Sequence, residues 1–133
     1  MRRSWVEGWG LEQMPEKKRR VLECGWICAD LDAYEITVKG EPVRVYLREF
    51  EILVLLLRNP NRVLRREEII AAIWGDEGAV EERTIDVHIR RLREHLGGRK
   101  GAGAAIVTVR GVGYKLDTRR CGLAPAKASW ESR

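Results

Sequence analysis

The residues of this 133-residue chain best placed to do chemistry lie in one stretch, RTIDVHIRRLREHL, from Arg83 to Leu96. Wound as an α-helix at about 100° per residue, it gathers Arg83, Arg90, Arg91 and Glu94 on one side, with Val87 among them. Ile85, Ile89, Leu92 and Leu96 fall on the opposite stripe, which reads as a core face. Guanidinium forks match phosphate oxygens and the O6 and N7 acceptors of guanine, and an apolar side chain among them suits a thymine methyl group. The competing use for Val87 is packing against the acidic loop or a neighbouring strand.

Other chemistry-bearing residues are sparse. In CGWIC, read as an extended strand, Cys24 and Cys28 stand about 13 Å apart. Two thiolates on one zinc, each about 2.3 Å from the metal, cannot span that distance. The odd count of three cysteines argues for thiols in a reducing compartment over a disulfide framework. The only two histidines, His88 and His95, lie on the arginine-rich helix. With no Ser/His/Asp grouping and no phosphate-cradling loop, neither an enzyme nor a metal or other cofactor is expected.

Composition sets the frame around that helix. Hydrophobic residues make up 44% and charged residues 34% of the chain, the balance of one soluble domain with a modest core. No apolar run is long enough to cross a membrane, and MRRSW leads into no signal-like apolar region, so a cytoplasmic location is expected. Charge is divided unevenly along the chain. Residues 21–82 carry 7 Lys and Arg against 13 Asp and Glu, whereas residues 83–120 carry 10 against 3. One half of the molecule is therefore suited to a polyanion, or presents a solvated basic face.

The elements that position the helix follow from pattern. Residues 1–20 read as an extension or linker. GWICADLDAYEITVKGEPVRVYL is β-favouring and punctuated by turns, predicting a small antiparallel sheet. REFEILVLLLR, from about Arg48 to Arg58, predicts a central helix ending at Asn59-Pro60. REEIIAAIW predicts a second helix with acids in its first turn, and residues 82–97 a third. The connection GGRKGAGA is too glycine-rich to be expected to be rigid. Residues 105–117, with Gly111 and Gly113 between β-branched and aromatic runs, predict a hairpin. Sheet, three helices and hairpin make an α+β fold, a winged helix-turn-helix with the third helix in a major groove and the wing on the backbone or minor groove.

REFEILVLLL, NRVLRREEI, IWGDE, ERTIDVHIRRLREHL and TVRGVGYKL together resemble, in content and spacing, the DNA-binding effector domain of OmpR/PhoB-type response regulators. The resemblance runs from Gly25 to Asp117. It implies a four-stranded N-terminal sheet, a transcription factor of two-component phosphorelay signalling, double-stranded DNA as partner, direct repeats as target and a homodimer on DNA. At matching positions, Arg83, Thr84 and His88 resemble backbone-contacting residues, with a satisfied surface histidine the other use for His88. Val87, Arg90 and Arg91 resemble groove-facing residues, and Thr108 and Arg110 match the wing. Trp74 matches a tryptophan near a phosphate, or plugs a helix end. The acidic loop with Gly75, Asp76, Glu77, Gly78 and Glu81 matches a segment that relatives use to touch RNA polymerase, or is a solvated connection. Asp86, between the stripes, is expected to order an arginine, since phosphates would repel it.

Two departures stand out. Tyr46-Leu47 and Arg65 occupy helix starts where relatives place oxygen-bearing caps, which would cost about 1 kcal/mol each without compensation. Only some forty residues precede the first helix, too few for a receiver domain of about a hundred residues. The expected organisation is thus an extension over 1–20, a winged-helix domain over 21–117 and a disordered tail over 118–133. The expected function is sequence-specific DNA binding, and the alternative is a winged helix that docks an acidic protein. Arg110, just before the glycine turn, can approach a narrow electronegative minor groove. Arg110→Ala is expected to weaken binding most on sites with A·T-rich flanks, and an equal loss on G·C-rich flanks in a binding titration would reduce Arg110 to a phosphate contact.

Overall fold

A computed structural model describes residues 20–75 and 79–122. The chain opens with a four-stranded antiparallel meander, β1 (Val21–Cys24), β2 (Ile27–Asp30), β3 (Glu35–Val38) and β4 (Glu41–Val43). Register puts Leu22 opposite Ala29 and Ile27 opposite Val38, so one face carries the apolar set. Ile27, Ala29 and Ile36 on that face are buried in the core. The three-helix bundle, α1 (Leu47–Arg58), α2 (Arg66–Trp74) and α3 (Glu82–His95), packs against it. From α3, Ile85, Ile89, Leu92 and Leu96 enter the core, the stripe that the periodicity predicts.

The two helix starts without oxygen-bearing caps are compensated from within. The Tyr46 N–H donates to Glu49 Oε1 at 3.3 Å, and the Arg65 N–H donates to Glu68 Oε1 at 2.8 Å. Each glutamate is the third residue of its helix, supplying the carboxylate half of a capping box and a negative charge at the positive end of the helix dipole. The cost expected of the missing caps is therefore offset within each helix's first turn.

The wing consists of β6 (Ile106–Val109) and β7 (Gly113–Leu116), and β7 also pairs with a two-residue strand, β5 (Leu64–Arg65), that pattern alone does not reveal. Leu64 faces Tyr114 and Arg65 faces Gly113, which seats the wing on the entrance to α2. Asn61, at φ 65°, locks the other end. Its N–H donates to Leu116 O, and its side-chain oxygen accepts from the Thr118 N–H.

Three expectations are corrected. Cys24 and Cys28 are not on one strand, because the chain reverses at Gly25-Trp26 and pairs Cys24 with Ile27. Distance along a strand is thus the wrong argument about their thiols. What separates them is the pleat, since Cys24 shares a face with Ile27 while Cys28, paired with Glu23 and Thr37, lies on the other. Cys24 is moreover disulfide-bonded to Cys121, which the odd cysteine count did not suggest. Second, residues 98–105 form 3-10 turns with Ala102, Gly103 and Ala105 buried. The glycines there permit contact: a Cβ on Gly103 would lie 2.4 Å from Arg93 O. Third, ordered structure continues past Asp117 through a 3-10 turn, Thr118–Arg120, to the buried Cys121. The extension over 1–19 and the tail from 123 lie outside the described residues.

Close approach of β5 to β7 leaves no room for a side chain at Gly113, where a Cβ would fall 2.0 Å from Leu64 O. Gly113→Ala should destabilise the domain by about 1–3 kcal/mol, as overpacking does, measured by urea denaturation. An unchanged midpoint would show that the wing is not fixed through this contact.

Candidate nucleic-acid interface

The exposed side of α3 is a basic surface around one apolar side chain. Val87 is 39% exposed and lies outside the core. Arg90 and Arg91 flank it, both exposed and without an ion-pair partner among the described residues. Arg83, in the first turn, pairs with Glu81 at 3.0 Å, but its side chain is 84% exposed. Such a surface pair contributes well under about 1 kcal/mol, so a phosphate can replace the carboxylate. Thr84 is half-buried beside it, its N–H bonded to Glu81 O.

One flank of α3 is fixed to the wing by Asp86. Its Oδ1 accepts from Arg66 Nε at 2.7 Å and from the Tyr114 hydroxyl. Burial opposes ionisation of this carboxyl, yet the Tyr114 and Arg66 hydrogen bonds outweigh it and hold the acid below the usual carboxylate range. Burial and the adjacent carboxylate push the Tyr114 phenol up. The Tyr114 ring meets the Arg66 and Arg93 guanidinium groups at 5.2 and 5.5 Å. Asp86 therefore orders an arginine, as expected, and a tyrosine as well.

Arg93 extends the same flank, donating to Ile106 O at 3.0 Å and to Thr108 Oγ1 at 2.7 Å. Thr108 thus engages α3 through its oxygen and keeps an exposed position on β6. Arg110 is exposed in the turn that Val112 N–H closes onto Val109 O. Between the C-terminal half of α3 and β6 lies a cleft lined by Arg90, Arg93, Arg99 and Arg120. Sequence reasoning missed Arg93, Arg99 and Arg120 in this role, because only the compact 98–105 segment and the turn after β7 bring them together.

The other flank meets α1 and α2. Trp74 is half-buried between His88, stacked at a centroid distance of 5.9 Å, and the Arg48 guanidinium 4.9 Å from its ring. This supports the helix-end plug without removing the ring edge from the surface. Glu49, 1% exposed, accepts from the α1 start and lies 2.7 Å from His95 Nδ1. Its Oε2 and His88 Nδ1 are buried without hydrogen-bond partners among the described residues. His88 is thus half-buried, with one ring nitrogen unpartnered among the described residues. Of the acidic loop, Gly75 and Glu81 are described, while Asp76, Glu77 and Gly78 lie outside the described residues.

A basic recognition helix backed by a core stripe, with a hairpin fixed beside it through Asp86, defines a winged helix-turn-helix of the DNA-binding type. The family described as "Transcriptional regulatory protein, C terminal" matches residues 40–116, and the chain belongs to it, the DNA-binding domain family of OmpR/PhoB-type response regulators. The sensory transduction protein RegX3 of Mycolicibacterium smegmatis is 40% identical over 97 residues, covering 73% of this chain and 42% of that protein. The response regulator ArlR of Staphylococcus saprophyticus is 41% identical over 104 residues, covering 78% and 46%. The chain thus spans less than half the length of these relatives. Among solved structures, the Thermotoga maritima response regulator DrrB, an OmpR/PhoB homologue, superposes with a TM-score of 0.66 at 30% identity, over 79% of this chain and 47% of that one. The DNA-binding domain of the response regulator AdeR, in complex with an intercistronic region, gives 0.61 at 30% identity over 69% and 93%.

The environment of His88 has a measurable consequence. Burial disfavours its charged form, and Arg91 and Arg48 oppose it further while Glu49 favours it, leaving the imidazole below its ordinary value of 6.5. As pH falls, the unfolded chain takes up this proton first. The contribution of His88 to stability is therefore present above pH 6.5 and lost as pH falls from there through the depressed folded value. Wild type should lose stability relative to His88→Gln between pH 7.5 and 5.5 in parallel urea titrations, and parallel curves would contradict the assignment.

Proposed function

We propose that this chain reads double-stranded DNA sequence-specifically as the effector part of a transcriptional regulator. Helix α3 lies in the major groove and the wing on the adjacent minor groove. The observation that carries the reading is the exposed Arg90 and Arg91, without an ion-pair partner among the described residues, around the exposed Val87, on a helix whose opposite stripe is fixed in the core. Arg91 reads guanine, Val87 meets a thymine methyl, and Arg90 reaches the groove wall. Arg83, Thr84, His88 and the Trp74 edge contact the backbone on entry.

The strand separating the two grooves must pass between α3 and β6. Arg93, Arg99 and Arg120 line that cleft and, with Thr108, make it a phosphate track, while Arg110 enters the minor groove. The AdeR domain, seen with DNA, supports this placement by its similarity. Two copies bind head to tail on direct repeats, the acidic loop from Gly75 to Glu81 faces RNA polymerase, and the work is done in the cytoplasm, without catalysis.

The test sets two arginines against each other. After selection of a preferred site from random duplexes, Arg83→Ala should weaken cognate and scrambled DNA alike and flatten the salt dependence by about one unit of slope. Arg91→Ala should cost about 1–3 kcal/mol on the preferred site alone. Equal losses on both duplexes would remove Arg91 from base reading. A wild type indifferent to sequence would instead favour docking of an acidic protein.

A further inference from the structure

Two of the three cysteines meet although they are 97 positions apart in the chain. Cys24 ends β1 and Cys121 follows the last 3-10 turn, bonded with Cα atoms 5.6 Å apart. That is a spacing at which a disulfide closes without moving the backbone. The surroundings are shaped to the junction. Trp26 N–H donates to Cys121 O at 2.9 Å. A Cβ on Gly25 would come 2.6 Å from Gly122 O, and one on Gly122 would come 2.4 Å from the Trp26 ring. Both glycines have positive φ, 57° and 106°. Two tight backbone segments therefore interlock, with Cys121 wholly buried and Cys24 half-buried between them.

We propose that Cys24 and Cys121 are a site of reversible oxidation, a clamp closed as a disulfide and opened by a dithiol. In opening, one reductant thiolate attacks a sulfur of the pair, the S–S bond breaks and a mixed disulfide forms. The second reductant thiol then displaces the protein sulfur. The protein gains two hydrogens as two thiols, and the dithiol leaves as its own disulfide. Closing is the same exchange in reverse against a small disulfide oxidant. A chain that works on DNA, which rests on the reading above, sits where thiols are kept reduced and a disulfide is a transient, redox-responsive bond.

The third cysteine is excluded from the exchange and serves as an internal standard. Cys28 is free and lies on the opposite face of the sheet from Cys24. Burial and the Glu23 carboxylate raise its thiol, which leaves little reactive thiolate. The clamp joins the first strand to the segment after the wing and so encloses the whole helical bundle, restricting the unfolded chain. Arg83, Arg90 and Arg91 are carried by α3 and Arg110 by the wing turn, not by the two segments that the bond joins, and the wing is also held through Asp86 and Tyr114. Oxidation therefore sets the stability of the domain and leaves α3 and the wing turn in place, with Arg120 the one proposed DNA-facing residue that adjoins the bond.

The test uses the full chain equilibrated with glutathione disulfide or with dithiothreitol, freed of reagent, unfolded in denaturant, alkylated and analysed by mass spectrometry. One modified cysteine, Cys28, is expected after oxidation and three after reduction, matching the free and total counts. The oxidised form should melt at least about 5 °C higher, with affinity for a selected duplex unchanged within about threefold. Cys24→Ser and Cys121→Ser should each abolish the redox dependence of Tm. Three reactive thiols after native oxidation, or equal melting temperatures, would overturn the clamp. An affinity change above about tenfold would overturn its separation from the DNA surface. If no duplex binds at all, the DNA reading fails, while thiol count and Tm still decide the clamp.

Discussion

The geometry of the interface depends on a single carboxylate. Asp86 projects from α3 between the core stripe and the exposed arginines, and it binds Arg66 at the start of α2 and the hydroxyl of Tyr114 on β7. Three elements, also tied by the β5–β7 pairing and by the Arg93 hydrogen bonds to the wing, are thereby held in one relative orientation. Charge-assisted hydrogen bonds suit this task because they are directional, whereas apolar packing tolerates small rotations. The Arg66 and Arg93 guanidinium groups near the Tyr114 ring add attraction to the aromatic face. A recognition helix and a wing engage adjacent grooves only if their spacing is fixed before DNA arrives, so Asp86 preorganises the surface without being part of it.

A second carboxylate sets the other flank. Glu49 is buried, and it faces the amide of Tyr46 and the imidazole of His95 through the same oxygen. A lone buried carboxylate would be expensive, but the helix N-terminus and the imidazole each offset part of that cost. The outcome ties the start of α1 to the end of α3, as Asp86 ties the middle of α3 to the wing. Between these ties, Arg90 and Arg91 on the exposed face have no ion-pair partner among the described residues, and Arg83 has only the exposed pair with Glu81.

Much of this was legible in the sequence because it depends on period. The stripe of Ile85, Ile89, Leu92 and Leu96, the bounds of α2 and the hairpin over residues 106–116 follow from side-chain spacing alone. The placement of Asp86 between stripes likewise identified a residue that orders an arginine. What was not legible depends on pairing between distant segments. Two-residue β5 has no period, and a cap supplied from three residues inside the helix looks like an ordinary glutamate. The reversal at Gly25-Trp26 was hidden because CGWIC alternates well enough to pass for a strand. The Cys24–Cys121 bond joins ends that no local pattern relates, and the arginine cleft depends on glycines whose role is contact rather than freedom.

Charge completes the design at longer range. The basic segment from Arg83 to Arg120 folds into α3, the wing and the turns beside them. The acidic half supplies the sheet, where register places Glu23 with Cys28 and Asp30 with Glu35 on the face turned from the core. A body with unlike charge on different surfaces experiences a torque in the field of a polyanion as well as an attraction. On the proposed DNA reading, the acidic sheet would be repelled while α3 is drawn in, which biases encounters toward the orientation in which the α3 arginines meet the polyanion. On that reading, the acidic residues of the sheet contribute to orientation by disfavouring the wrong face. Salt screens this steering over about 8–10 Å, a distance shorter than the domain is wide. The sheet's influence on orientation is consequently lost at salt concentrations that still permit the direct arginine contacts.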